Sequence, residues 1–287
     1  MKKMTVIGGG VMGTGIAYTA AMCGFSVSLV EPFPQARAKT AQTIEQYIQK
    51  GRKKGKLSEE EAERVKASLH IVASLQESDA NCDVVIEAVP EQLDLKKKIF
   101  EEIDAYVSEH TLLATNTSTM SPTEIGAFTK RPHQVIAMHF FNPVPSMPLI
   151  EIIKGLETSD ATVEKAKMVA EMMKKETVVV NEFPGFITSR ISALVGNEAF
   201  RMLQEGVGTP EEIDKAIKFG LHYPMGPFEL GDLVGLDTRL NNLRYLHETL
   251  GETYRPAPLL VKYVKAGRLG RKAGKGVYSY DEEGKRL

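Results

Sequence analysis

Six histidines occur in the 287-residue chain, and His139 is the one placed for proton chemistry. It ends the apolar run 134–139 (QVIAMH), and a second run, 148–153 (PLIEII), follows after a loop that holds Pro143 and Pro145. So short a connection between apolar runs predicts an antiparallel pair, which would make Glu151, twelve residues on, a neighbour of His139 across the strands. A neutral imidazole whose other nitrogen is held by a carboxylate can take a proton from an alcohol while hydride leaves the same carbon. Ser118, in Asn116-Thr117-Ser118-Thr119, offers a hydroxyl to the reacting oxygen, and equally a cap for a helix near Ser121-Pro122. Asn142 reads either as a turn residue or as a ligand contact.

A hydride needs an acceptor, and the first fifteen residues suggest one. Residues 4–15 read MTVIGGGVMGTG, so that Gly8, Gly10 and Gly13 stand at the spacing G-x-G-x-x-G between a strand-like and a helix-like run. The three glycines serve a tight turn, backbone approach to a pyrophosphate, and close helix–strand packing, and the helix N-terminus then faces the phosphates. A second apolar run, 25–30, ends in Glu31, eighteen residues past Gly13, where an acid would bind the two ribose hydroxyls of an adenosine. A carboxylate there would repel a 2′-phosphate, so the expected cofactor is NAD.

These residues require a frame. Strand-like runs alternate with helix-like ones over the first 120 residues, which predicts a doubly wound, Rossmann-like α/β sheet. In such a sheet the strand tips carrying Glu31, Glu91 and Ser118 converge on one crevice. The segment 83–89 (DVVIEAV) has the near-continuous apolar character of a strand buried on both faces. Residues 35–49 are rich in helix formers, and Ser58 followed by Glu61 is a capping box, so a helical hairpin is expected between the second and third strands. Its tip, 50–56 (KGRKKGK), is either a solvated helix end or an anchor for a phosphorylated substrate tail. Pro184-Gly185 marks a boundary: residues 1–183 form the nucleotide domain and 184–287 a mostly helical domain for substrate binding and dimerisation. Within the latter, 223–235 reads as a turn-rich connection between helices.

Composition narrows the partners. A net charge of -1 gives no reason to expect nucleic acid, and no apolar run approaches membrane-spanning length. Cys23 and Cys82 have neither disulfide nor zinc spacing and read as reduced core residues. With strand residues beginning at Met4, no leader is expected, and the chain reads as cytoplasmic.

The blocks GGGVMG, DVVIEAVPE, NTST, HFFNPVPSMPLIEIIKG, PGFITSR, HYPMGPFELGDLVGLD and GRKAGKGVYSY are similar, in order and over essentially the whole chain, to the L-3-hydroxyacyl-CoA dehydrogenase family. The likeness is strongest to its short bacterial members, the 3-hydroxybutyryl-CoA dehydrogenases. It implies that His139 is the general base, Glu151 its holder, and Ser118 a contact to both substrate and nicotinamide. It also implies cofactor contacts from Gly8, Gly10, Val11, Met12, Gly13, Glu31, Glu91, Lys96, Asn142 and Lys272, with Lys54 at the coenzyme A end of a short-chain acyl-CoA. A helical domain of the size of 184–287 has apolar faces that it does not cover alone, so a homodimer is the expected assembly. Two positions depart from the family: Tyr47 stands where some members have serine, and Ser189 replaces the asparagine before Arg190 that lies near the thioester carbonyl. A hydroxyl there still donates a hydrogen bond, so reduced but real activity is expected. Two other readings share the fold: a hydroxyacid or sugar-acid dehydrogenase that binds no coenzyme A, and a non-catalytic protein that keeps the nucleotide pocket.

Overall fold

The computed structural model describes residues 2–287. The chain divides into two compact units, one ending at Phe183 and one beginning at Pro184.

The first unit is built on an eight-stranded sheet. In chain order it comprises β1 (Lys3–Ile7), α1 (Val11–Met22), β2 (Ser26–Val30), α2 (Pro34–Lys53), α3 (Glu59–Ser68), β3 (Leu69–Val72), β4 (Val84–Glu87), α4 (Leu93–Tyr106), β5 (Leu112–Thr115), α5 (Pro122–Gly126), β6 (Val135–Phe140), β7 (Leu149–Lys154), α6 (Asp160–Met172) and β8 (Glu176–Asn181). The strand order is β3-β2-β1-β4-β5-β6-β7-β8. Strands β1 to β6 are parallel, β7 runs antiparallel to β6, and β8 parallel to β7. The order reverses between β1 and β4, the switch point at which such sheets bind ligands beyond their carboxyl ends.

Every residue of β4, β5 and β6 is buried, as expected of central strands with apolar side chains on both faces. One face packs α1 and α6 around Ile16, Val169 and Ile152; the other packs α4 around Phe100 and Ile103. Helix α1 lies close to the sheet because its buried face carries Gly13, Gly15, Ala17, Ala20 and Ala21. Of the two cysteines, Cys82 is buried and Cys23 half-buried, and both are free thiols.

The helical hairpin stands between β2 and β3, and Ser58 and Glu61 make the reciprocal capping box that opens α3. Its first helix is longer than the sequence suggests. Helix α2 continues past Gln49 to Lys53, so the first four residues of the basic segment form its last turn. Only Lys54, Gly55 and Lys56 make the tip, with Gly55 at φ +65. Cations at a helix C-terminus favour the extension, because the dipole is negative there.

The second unit contains α7 (Thr188–Gln204), α8 (Pro210–Gly220), α9 (Pro227–Val234), α10 (Leu236–Leu250) and α11 (Pro258–Lys265) around Phe200, Phe228, Leu240 and Leu243. Helix α9 corrects the expectation of a turn-rich connection over 223–235. Its Gly and Pro are end signals: Gly226 is the N-cap, Pro227 the first helical residue, and Gly235 the C-cap. Two of its first-turn N–H groups, of Phe228 and Glu229, are taken by the buried Asp214 carboxylate at 2.8 and 3.1 Å. Burial pushes the Asp214 carboxyl above the usual carboxylate range.

Among the described residues, no helix is long and apolar enough to cross a membrane.

Candidate active site

Three short segments of the first unit meet at the carboxyl ends of its strands. The first is the glycine loop between β1 and α1. Gly8 has φ +105, and a Cβ on it would come within 2.8 Å of the Ala88 carbonyl oxygen, so the turn requires glycine. A Cβ on Gly13 would come within 1.9 Å of the Gly8 carbonyl oxygen, which makes it the packing glycine. Gly10 differs: nothing lies within 4 Å of the Cβ position, so the structure itself makes no demand for glycine there. An approaching pyrophosphate would make one. No side chain caps α1, and the N–H groups of its first turn, from Val11 onward, are left to a ligand.

Glu31, at the end of β2, fastens this loop. Its carboxylate accepts the N–H of Gly9 at 2.9 Å and of Phe33 at 3.1 Å. The hydroxyls of Thr14 and Thr40 donate to the Gly9 carbonyl at 2.9 and 2.8 Å, so contacts within the protein fix the shape of the loop. An open cradle over Gly10, an uncapped helix N-terminus and an acid beside them together fit NAD.

The second is the loop after β5, residues 116–119, held by Glu91 from the loop after β4. Glu91 accepts the Ser118 N–H at 2.8 Å, and the Thr117 hydroxyl donates to the same carboxylate oxygen at 2.8 Å. The Lys96 ammonium lies 2.7 Å from Glu87 and 3.3 Å from Glu91, almost wholly inside the protein. Ser118 does not cap α5; Ser121 does, its hydroxyl accepting the Glu124 N–H at 2.9 Å. Of the two readings of Ser118, the cap is thereby excluded.

The third segment is the β6–β7 pair. His139 stands directly opposite Glu151 in the antiparallel register. Its Nδ1 is 2.8 Å from Glu151 Oε2, with Glu151 fully buried and the imidazole 10% exposed. A carboxylate can only accept, so Nδ1 is the donor of this pair, and in a neutral imidazole Nε2 is then the nitrogen that holds the lone pair. The Phe141 ring lies 4.6 Å from the imidazole, tilted by 52°. Asn116 ties the second segment to the third: its side-chain oxygen accepts the Phe140 N–H at 2.9 Å. Asn142 follows in the exposed loop after β6.

Lys54 is exposed at the tip of the helical hairpin. Ser189 and Lys272 belong to the second unit, Ser189 in the first turn of α7 and Lys272 with its ammonium 2.7 Å from Asp237. Sequence reasoning overlooked Glu87 and Asn116. Glu87 had a signal, since an acid inside the apolar run DVVIEAV must find donors once buried.

The family profile described as 3-hydroxyacyl-CoA dehydrogenase, NAD binding domain matches residues 3–183, and the profile described as its C-terminal domain matches residues 185–280. The chain is 44% identical over 284 residues to a probable 3-hydroxybutyryl-CoA dehydrogenase of Bacillus subtilis, covering 99% of each protein. It is 45% identical over 282 residues to the 3-hydroxybutyryl-CoA dehydrogenase of Bradyrhizobium diazoefficiens, covering 98% of this chain and 96% of that one. The crystal structure of (S)-3-hydroxybutyryl-CoA dehydrogenase from Ralstonia eutropha superposes with a TM-score of 0.93 at 40% identity, over 98% of this chain and all of that one. Two profiles that together span nearly every residue, and relatives matched from end to end, agree with a glycine cradle and a histidine–carboxylate pair on one sheet: the chain belongs to the 3-hydroxyacyl-CoA dehydrogenase family.

Proposed function

We propose that the chain interconverts short-chain L-3-hydroxyacyl-CoA and 3-ketoacyl-CoA, with 3-hydroxybutyryl-CoA and acetoacetyl-CoA as the representative pair. The observation that carries this reading is the His139 Nδ1–Glu151 contact of 2.8 Å, made at the strand ends where the glycine loop also lies. NAD, held by the glycine loop and Glu31, would supply the acceptor for the hydride that leaves C3. His139 Nε2 takes the hydroxyl proton, while Glu151 fixes the tautomer and stabilises the imidazolium that forms. In the reverse direction the imidazolium returns that proton to the carbonyl oxygen. The Ser118 hydroxyl orients the substrate oxygen, on a loop held by Glu91.

The glycine loop with Glu31, together with Glu91, Lys96, Asn142 and Lys272, forms the cofactor side of this reading. Lys54 and its basic neighbours hold the phosphates of coenzyme A, supported by the exposure of Lys53, Lys54 and Lys56 at the hairpin tip. Ser189 donates its hydroxyl toward the thioester carbonyl. The proposal includes a homodimer, for which the exposed Ile187, Ile191, Phe219 and Leu221 of the second unit offer apolar surface, and a cytoplasmic location, which suits two free thiols.

The deciding experiment mixes the purified chain with acetoacetyl-CoA and follows NADH absorbance. Steady loss of NADH, dependent on the CoA ester and weaker with NADPH, is expected. NADH loss with acetoacetate alone, or none with any 3-ketoacyl-CoA, would refute the assignment.

A further inference from the structure

Glu87 closes β4 with its side chain fully buried, and a carboxylate so placed must be answered by donors. It has several. The Lys96 ammonium donates to Oε1 at 2.7 Å and Oε2 at 2.9 Å, the Val89 N–H to Oε1 at 2.8 Å, and the Thr115 hydroxyl to Oε2 at 2.6 Å. The same ammonium, 1% exposed, lies 3.3 Å from Glu91 Oε2. Glu91 is the member of the trio that opens to solvent, with its side chain 37% exposed, and its Oε1 holds the Ser118 N–H.

Two carboxylates thus share one buried ammonium, and the sharing is uneven. Glu87 has the two short contacts and Glu91 the single longer one. We propose that Glu87 is a positioning residue for the cofactor and substrate side of the site: by taking up the Lys96 ammonium it leaves Glu91 charged and turned toward the 116–119 loop. The inference rests on the reading of Glu91 and Ser118 given under the proposed function.

The physical reason lies in the alternative. With a neutral residue at 87, Glu91 becomes the only full counter-charge for the buried Lys96 among the described residues. Attraction in a low dielectric then draws that carboxylate inward. The Ser118 N–H loses its acceptor geometry, and the negative charge at the mouth of the site is spent on an internal pair. A Glu87 that merely finished its strand would have no such dependence on Glu91.

The test is a double-mutant cycle read by NADH binding, with the full chain and the fluorescence of NADH itself. Glu87→Gln is expected to raise the NADH Kd about tenfold in the unaltered background and less than about twofold in a Glu91→Gln background. Thr115→Val, which is close to isosteric and removes one donor from Glu87, should show the same pattern at about threefold and decides the matter if Glu87→Gln fails to fold. Glu87→Asp, which keeps the charge, should recover most of the affinity. An equal rise in both backgrounds, or an unchanged Kd for Glu87→Gln and Thr115→Val in a chain that binds NADH normally, overturns the role of Glu87 and leaves the proposed function standing. Failure of the unaltered chain to bind NADH removes both.

Discussion

His139 Nδ1 and Glu151 Oε2 lie 2.8 Å apart because their residues occupy directly opposed positions on β6 and β7. The carboxylate has no exposed surface, so it serves the imidazole rather than solvent. His139→Asn should lower kcat by about 10²- to 10⁴-fold with little change in NADH Kd. Glu151→Gln keeps an acceptor for Nδ1–H but withdraws the charge, and a smaller loss of about 10- to 100-fold in kcat is expected. Steady-state kinetics beside NADH titration check both, and near-normal turnover in His139→Asn would end its assignment as base.

The glycines of the loop separate a demand of the fold from a demand of the ligand. Gly10→Ala meets no atom within 4 Å and has an ordinary backbone angle, φ -69. Its melting temperature should match or slightly exceed that of the unaltered chain, while NADH affinity falls by about tenfold or more. Gly13→Ala places a methyl group 1.9 Å from the Gly8 carbonyl oxygen and should lower the melting temperature as well. Unchanged NADH affinity in Gly10→Ala would mean that the cofactor does not pass over that residue.

Charge at the hairpin tip is the feature expected to distinguish a CoA ester from a simpler acid. Reversing Lys53 and Lys54 to Glu should raise the KM for acetoacetyl-CoA by about 5- to 30-fold at low ionic strength, with the difference shrinking as salt is added. With an acetoacetyl thioester of pantetheine, which lacks the nucleotide phosphates, the same variant should be unaffected. Equal effects on the two esters would assign the basic turn to the helix end alone.

Ser189 tests how the substrate carbonyl is held. Ser189→Asn is expected to raise kcat/KM for a 3-hydroxyacyl-CoA by about 3- to 10-fold, read from initial rates at low substrate. A fall would show that the serine suits this chain better than the residue usual in its family.

Arg239 makes a prediction about stability rather than catalysis. The residue is 5% exposed, and its guanidinium donates to the Ser192 carbonyl at 2.5 Å and to the Ser192 hydroxyl at 3.3 Å. Burial pushes its pKa down to about 10. The folded form therefore binds the guanidinium proton more weakly than the unfolded chain does, so below about pH 10 the penalty of burying the charge is complete. It is relieved as pH rises above about 10. Arg239→Met, allowing for the hydrogen bonds lost, should raise the unfolding free energy by about 1 to 2 kcal/mol at neutral pH and abolish the alkaline gain. Denaturant unfolding at several pH values checks it, and a loss of stability would show that the arginine has a compensating partner.

Where patterns repeat along the chain, structure was legible in the residues. The alternation of strands and helices gave the parallel sheet, and the short loop before Pro148 gave the antiparallel pair with His139 and Glu151 in reach of one another. Where one residue type has two opposite uses, the reading failed. Gly226 and Pro227 open α9 although both also break helices, and what decides between the uses is Asp214, which lies in another helix and supplies the missing acceptors. The extension of α2 into the basic segment had the same origin, since Gly51 is helical and only Gly55 turns the chain. Glu87 lay in plain sight, but its partners come from β5 and α4 and are invisible to any local pattern.

The antiparallel pairing of β6 with β7 has a consequence for how this enzyme family tolerates change. Side chains on a strand alternate between faces, so a slip of one residue would send Glu151 to the far side of the sheet and bring Ile150 or Ile152 opposite His139. The loop between the strands, though exposed over much of its length, therefore keeps count for the reaction. A single insertion or deletion there that shifted the pairing by one would part His139 from Glu151 with both residues unchanged.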